Sequence, residues 1–548
     1  MKVLHRPRAV TLLACLTLTL TACGGGTEDG KASDRPVKGG TLKFAVNTEP
    51  ALLDPHASPQ DVTALFARPV LDSLVSMDKA GNIHPWLAKS WKISKDQKTY
   101  TFELRKDVEF SDGTRFDAEA VKANLDRIVD PKTKSELAAG FIEPYKSSKV
   151  KDDWTVEVTF DKPHAPVLSS FSTAYFGMQS PKHLKKGADA IAKKLVGSGP
   201  FRMQEYTPKV GVTYSRNNDY KWEPEGSKHS GPAHLDKLEF SISTEESGRL
   251  GVLNSNQADA VANVAPAAAD QVGSSPNLRI DKRQAPGGVY SYFPNTEKGP
   301  FKDRRVREAF RDGIRFEVVV ENLYFKEHAF AGGTPLSPTT FGYDKQTAQQ
   351  REYSPKKAAK LLDDAGWDER DSQEYRVKNG KRLSITWPYI EENGANEQSQ
   401  TLTEQIQAEA KNLGFEVKPK LVTLAEYQKQ YVEGDYGMMD LSWRRSEPDS
   451  LRNLFHSESI PTPEKFGTNG ARFNDEKTDG WLEAALATTD KRKREQYYAK
   501  AQQRIAEQAA AFPVYVETNL MGRSKDVHGI TFDPQAYPIF YDAWKPNK

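Results

Sequence analysis

Period-two alternation of apolar and polar residues marks the first half of this chain. Thr41-Leu42-Lys43-Phe44-Ala45-Val46, Tyr100 to Arg105 and Trp154 to Phe160 read as strands, the last with Val156, Val158 and Phe160 on one face. Asp117 is placed to cap a helix whose apolar positions Val121, Leu125 and Ile128 follow at i, i+4 and i+7. Gly197-Ser198-Gly199-Pro200 breaks the chain before two more strands, Phe201 to Tyr206 and Val210 to Arg216. After Pro300 the helices lengthen. Ser354 caps, Pro355 takes the first helical position, and Ala358, Leu361, Leu362 and Ala365 form a stripe closed by Gly366. Leu402, Ile406 and Leu413 repeat that pattern up to Gly414, ahead of a strand from Phe415 to Leu421. A last helix is expected from about Lys491 to Ala511, stopped by Pro513, with the basic run Lys491 to Arg494 on a solvated face. No internal repeat is visible.

One apolar run stands apart. Ala9 to Leu20 follows the basic residues Lys2, Arg6 and Arg8, the layout of a secretory signal. It is shorter than the roughly 20 residues a helix needs to cross a bilayer. It ends in Leu20-Thr21-Ala22-Cys23, which resembles the lipobox of bacterial lipoproteins, where the cysteine becomes the lipidated first residue. The chain has two cysteines, Cys15 and Cys23, so cleavage before Cys23 leaves no second thiol for a disulfide or a Cys-based metal site. Gly24 to Lys38 is glycine-rich and charged, and reads as a flexible tether. Within it, Gly25 to Lys31 imitates a phosphate-binding loop, but Ala32 replaces the magnesium-binding hydroxyl and no strand precedes it.

Charge and length add limits. The 77 basic and 75 acidic residues give +2; removing residues 1–22 takes three basic residues and no acid, leaving −1. Such a balance carries no footprint for nucleic acid. A length of 548 residues suggests roughly two to four domains with cores of their own. No later segment is apolar for 18 residues in a row, so membrane contact is expected through the anchor alone.

The landmarks resemble one family along nearly the whole chain after the signal. They include Gly39-Gly40-Thr41-Leu42, Glu49-Pro50, Leu53-Asp54-Pro55, and Ile83-His84-Pro85-Trp86-Leu87-Ala88. The most specific is Val108-Glu109-Phe110-Ser111-Asp112-Gly113-Thr114, followed by Gly199-Pro200-Phe201, Pro300-Phe301 and Ala358 to Trp367. In this order they resemble the extracytoplasmic solute-binding proteins of ABC importers, family 5, the class with oligopeptide-, dipeptide- and nickel-binding members. The resemblance implies an α/β, two-lobed periplasmic-binding-protein-like fold of type II, with an extra inserted domain and a hinge between the lobes. The expected divisions are a signal at 1–22, a tether at 23–40, lobe 1 from 41–84, 197–298 and 523–548, an inserted domain at 85–196, and lobe 2 at 299–522. Closure around a ligand would be a hinge motion that shields it from water.

The resemblance also directs attention to a strand. Peptide-binding members carry W-x-x-D there, the aspartate taking the ligand's free amino group. This chain has Trp443-Arg444-Arg445-Ser446, with serine at the aspartate position. Serine does not neutralise an ammonium, whereas guanidinium suits a carboxylate or phosphate. Arg444 or Arg445 is therefore a candidate anion contact, at most one of them if strand alternation holds. The alternative is structural pairing with Glu447, Asp449 or Asp440. Trp443 is either a pocket wall or a core residue. Glu49 is expected where the first crossover meets the cleft, and Tyr290, Tyr292 and Asn295 on the return, as contacts or hinge packing. His229 and His234 are five apart, and no HExxH occurs, so no metal or other cofactor is expected. No G-x-S-x-G elbow marks an enzyme. The expected protein is a monomeric, lipid-anchored binding component outside the cell membrane. It would deliver a peptide or peptide-like solute, an anionic one included, to ABC permease subunits. A non-transporting receptor, or a nickel-chelate, opine or glycoside binder, are the alternatives.

Overall fold

A computed structural model describes residues 35–390, 397–465 and 467–546. Cys23, the signal and most of the expected tether lie outside these residues. The folded unit is Val37–Lys548. Gly39 and Gly40, the last residues of the expected tether, already belong to it: Gly39 N donates to His234 O at 2.8 Å and Gly40 N to Asp236 Oδ2 at 3.1 Å.

Thr41–Val46 is the middle of a seven-stranded sheet, running parallel to Lys237–Ile242 on one side and Ala260–Val261 on the other. Gly211–Arg216 and Phe201–Thr207 extend it one way, Thr518–Ser524 and Leu278–Gln284 the other. Phe44 is fully buried and meets Phe240 and Phe540 edge-on, at 5.3 and 5.2 Å between ring centres. A separate four-stranded sheet (Ala88–Ile93, Thr99–Leu104, Thr155–Phe160, Tyr145–Asp152) lies within the span of the inserted domain. Helix Ala118–Val129 packs on it; Asp117 caps the helix by accepting from Ala120 N at 3.0 Å, and Val121, Leu125 and Ile128 are buried. This domain shares one continuous hydrophobic core with the first sheet.

The second lobe is built on a sheet ordered Ala329–Phe330, Phe512–Val516, Gly287–Pro294, Met438–Arg444. Helices Arg304–Gly313, Pro355–Asp364 and Glu397–Leu413 pack around its core, where Phe310 meets Phe415 and Phe512 at 5.2 and 5.1 Å. The boundaries expected at 298/299 and 522/523 shift. Gly287–Pro294 already pairs in the second sheet, and Thr518–Ser524 already pairs in the first. The chain thus changes lobes at Ala285-Pro286 and at Glu517. Helix signals after Pro300 report where helices begin, whereas a strand can leave one sheet and enter another without a break in pattern.

Other local expectations also change. Ser354 precedes its helix, but its side chain makes no capping bond; its backbone N donates to Asp312 O instead. The last helix is Lys491–Glu507, and Pro513 lies inside strand Phe512–Val516. Pro513 stands opposite Ser291, at a register shift, which is where a strand tolerates a missing donor. The run Lys491 to Arg494 is not a uniformly solvated face: Arg494 is buried, paired with Glu447.

Within the first lobe, fully buried Asp72 accepts from Ser198 Oγ and Trp222 Nε1, both at 2.9 Å. Burial pushes its carboxyl up to about 7. The folded protein therefore keeps a proton that the unfolded chain releases near pH 4, and the stability tied to it is complete below that pH and falls as pH rises to 7. Relative to Asp72→Asn, the wild type is expected to lose up to about 4 kcal/mol across that window. Urea midpoints of both proteins from pH 4 to 8 check this, and parallel profiles would refute it.

Candidate functional site

The second-lobe strand Met438–Arg444 is seated by its antiparallel partner, with Gly288 opposite Trp443 and Gly287 opposite Arg444. Gly287 has φ +96°, and a Cβ there would stand 2.3 Å from Trp443 O and 2.4 Å from Arg445 N. Glycine alone permits that approach. The ladder ends at Arg444, so Arg445 is free of strand alternation. Trp443, Arg444 and Arg445 consequently all line one cavity of about 590 Å³. The expectation that at most one arginine reaches the cleft is corrected on this point.

The opposite wall belongs to the first lobe. Asn47 and Thr48 follow the central strand, Asp61 begins helix Asp61–Ala67, and Asn263 follows Ala260–Val261. Glu517 at the second crossing, Asn519 beyond it and Tyr537 in the tail complete the lining. The cavity is therefore the cleft between lobes, and its volume falls in the range of small-molecule sites.

The two arginines have different roles. Arg444 Nη2 meets Glu517 Oε1 at 2.5 Å and Nη1 meets Asp61 Oδ2 at 3.4 Å, joining the second lobe to the first. Burial works against its charge, but the two acids more than offset this and hold the guanidinium above its ordinary value. Glu517 is in turn held below the usual carboxylate range: burial opposes ionisation and Arg444 overrides it. Arg445 donates from Nη1 to Arg444 O at 2.5 Å and lies over the rings of Trp443 and Phe141, at 5.0 and 5.1 Å. It has no ion-pair partner among the described residues, and its Nε finds no acceptor. The two acids of the cleft balance its two guanidiniums, but both engage Arg444, which leaves Arg445 with no acid in direct contact.

The local acids proposed as structural partners are engaged elsewhere. Glu447 pairs with Arg494, Asp449 with Arg452 at 3.0 Å, and Asp440 accepts from Tyr290 Oη and Trp387 Nε1, both at 2.8 Å. Ser446 lines a separate void of about 40 Å³ between the inserted domain and the second lobe, with Glu447, Asp449 and His164. Arg445 borders both spaces. Trp443 is at once a wall and packed on the second-lobe core, its indole N–H without an acceptor.

Besides Ser446, four further sequence candidates sit away from this cavity. Glu49 Oε1 accepts from Tyr206 Oη at 2.9 Å and Lys209 N at 2.8 Å, bracing the hairpin after Phe201–Thr207. Tyr290 stacks on Tyr515 at 4.7 Å, and Tyr292 is fully buried against Trp387. Asn295 is buried, donating to Gly434 O and Tyr436 O and accepting from the backbone of Glu297 and Lys298. Conversely, Asp61, Asn263, Glu517, Asn519 and Tyr537 escaped sequence reasoning. They come from separate segments with no shared spacing, and Asp61 alone had a signal, as an acid opening a short apolar helix.

The lobes also meet beyond the cleft. Ala165 N donates to Leu486 O at 3.0 Å, Thr489 N to Gln97 Oε1 at 2.7 Å and Lys491 Nζ to Asn82 Oδ1 at 3.0 Å. Removing the cleft's own bridge with Arg444→Ala is expected to weaken closure by about 1 kcal/mol, because both acids are about two-fifths exposed and partly screened. Small-angle scattering of the ligand-free variant should show a larger radius of gyration; an unchanged profile would remove Arg444 from closure.

Among the described residues, no helix is long and apolar enough to cross a membrane, and no three His, Asp or Glu side chains gather as a metal site. Heme-binding protein A of Haemophilus influenzae is 28% identical over 97% of this chain and 98% of its own. Di/tripeptide-binding protein 1 of Pseudomonas aeruginosa is 28% identical, over 92% and 94%. Among solved structures, NikA from Brucella suis in complex with Fe(III)-EDTA superposes with a TM-score of 0.81, covering 92% of this chain and all of that one at 23% identity, which supports the two-lobed α/β fold. These relatives are named as binding proteins, not enzymes. The family model for bacterial extracellular solute-binding proteins, family 5, matches residues 82–459, and this chain belongs to that family.

Proposed function

We propose that this protein is the substrate-capturing component of an ABC importer, closing its two lobes on a small anionic or peptide-like solute. The observation that carries the anion is Arg445, a cleft guanidinium with no acid of its own beside an Arg444 that has two. Ser446 stands where peptide-binding relatives would be expected to hold an ammonium, and it does not border the main cavity. The relatives named above bind haem, di- and tripeptides and an iron chelate, so membership alone leaves the ligand open. Arg445 offers bidentate hydrogen bonding to a carboxylate or phosphate, with Trp443 as an apolar wall. The amides of Asn47 and Asn263 provide further polar contacts.

Delivery to permease subunits follows from the same reading: closure buries the ligand and presents one joined surface of both lobes. Anchoring through lipidated Cys23 and a monomeric state complete it. Native mass spectrometry of protein purified from its own host, followed by calorimetry with the ligand found, tests the binding role. A ligand bearing no anionic group would refute the anion assignment. Gene deletion that leaves accumulation of that ligand intact would assign a receptor in place of an importer component, and failure to incorporate labelled palmitate would remove the anchor.

A further inference from the structure

A second cavity of about 560 Å³ lies wholly in the first lobe and its inserted domain; no residue between 229 and 530 borders it. Lobe closure therefore neither forms nor opens it. Hairpin Thr531–Phe532 with Pro538–Ile539 stands between it and the main cleft, Phe532 and Pro538 bordering both spaces. Across the hairpin turn, Ala536 and Tyr537 face the cleft, whereas Asp533 and Ile539 face the second cavity.

Its chemistry differs from that of the cleft. Trp86, Phe201, Phe540 and Tyr541 supply aromatic surface around two buried acids, Asp72 and Asp533. A single half-buried guanidinium, Arg68, serves both. Its donors are already engaged: Nη1 with Leu71 O at 3.2 Å and Ser73 Oγ at 3.0 Å, Nη2 with Ser172 O at 3.0 Å, and its plane lies 5.3 Å from the Trp86 ring centre. Arg68 is thus poorly placed to take an incoming anion. Lys79 and Lys228 sit on the exposed rim.

Asp533 is the open position. It is 9% exposed, and its Oδ1 accepts from Gln535 N and Tyr537 N, both at 2.9 Å. Its Oδ2 has no donor, and the side chain no ion pair within 4 Å, among the described residues. Ser76 Oγ, also on the cavity wall, has no partner either. Burial pushes Asp72 up to about 7 and Asp533 up to about 6, and once both are ionised, above about pH 7, two carboxylates against one guanidinium leave one negative charge unmatched. An added cation would relieve that cost, and aromatic faces favour the same charge.

We propose that this cavity binds an organic cation with a flat apolar body, its ammonium seated on Asp533 and its ring between Trp86 and Phe540. The test uses 2-phenylethylamine as probe on the full chain, by calorimetry and saturation-transfer NMR. The wild type should bind the amine at least about tenfold more tightly than its neutral counterpart 2-phenylethanol, the difference one charge-assisted hydrogen bond confers. Asp533→Asn, whose Oδ1 keeps both backbone bonds, should lose about tenfold, and Ile539→Trp should block the amine by filling the space. No binding by the wild type overturns the proposal, as does equal binding of the alcohol or indifference to both substitutions. Loss of binding in Glu517→Gln with retention in Asp533→Asn would place the amine in the main cleft and also overturns it.

Discussion

Arg445→Ala is expected to weaken binding of the natural ligand about 10- to 100-fold, the value of about 1.5–3 kcal/mol for hydrogen bonds to a charged group. The loss should exceed that of any neighbouring cleft substitution, because Arg445 has no acid in direct contact and is free to meet a ligand, while Arg444 is tied to Glu517 and Asp61. Arg445→Lys keeps the charge and loses the planar fork, so it should fall between wild type and alanine. Added salt should weaken the wild type more than the alanine variant. Calorimetry with the ligand identified from the host reads all of this. Equal affinities for wild type and Arg445→Ala would leave the guanidinium as packing against Trp443 and Phe141.

Gly287→Ala is expected to cost more than about 3 kcal/mol of stability and to abolish ligand binding in whatever protein still folds. The left-handed backbone penalises any Cβ by about 1–2 kcal/mol. The new carbon would in addition stand 2.3 to 2.7 Å from Trp443 O and from the N and O of Arg445, all backbone atoms that no rotamer change can clear. The strand after the first crossing would have to part from the strand that carries both arginines. Gly299→Ala is the control: φ is +67°, yet no atom lies within 4 Å of its Cβ, so the conformational penalty stands alone. Thermal midpoints of the two variants should differ clearly. Similar midpoints would show that the close strand approach at Gly287 matters little.

Both expectations depend on features with unequal visibility in the chain. The cap at Asp117 and the stripe Val121, Leu125, Ile128 were readable because a helix writes its burial in a local period. The strand around Phe44 was readable for the same reason. Helix Lys491–Glu507 was overextended because Ala509, Ala510 and Ala511 suit a helix, whereas the buried strand that follows claims the chain from Phe512. Tyr290, Tyr292 and Asn295 lie near the first crossing in sequence and Glu49 just after the central strand, far from either crossing; position along the chain does not say which way a side chain turns. Asn295 spends its amide on the backbone of two neighbouring segments instead.

From the amino-acid order alone came the family and the two-lobed α/β architecture, because these rest on local periods and contiguous motifs. Folding in three dimensions decided the rest. It paired Arg444 with acids from two distant segments, left Arg445 without one, and drew Asn47, Asp61, Asn263 and Tyr537 onto the facing wall. Charge balance in a cleft is a sum over groups hundreds of residues apart, and no stretch of sequence contains that sum.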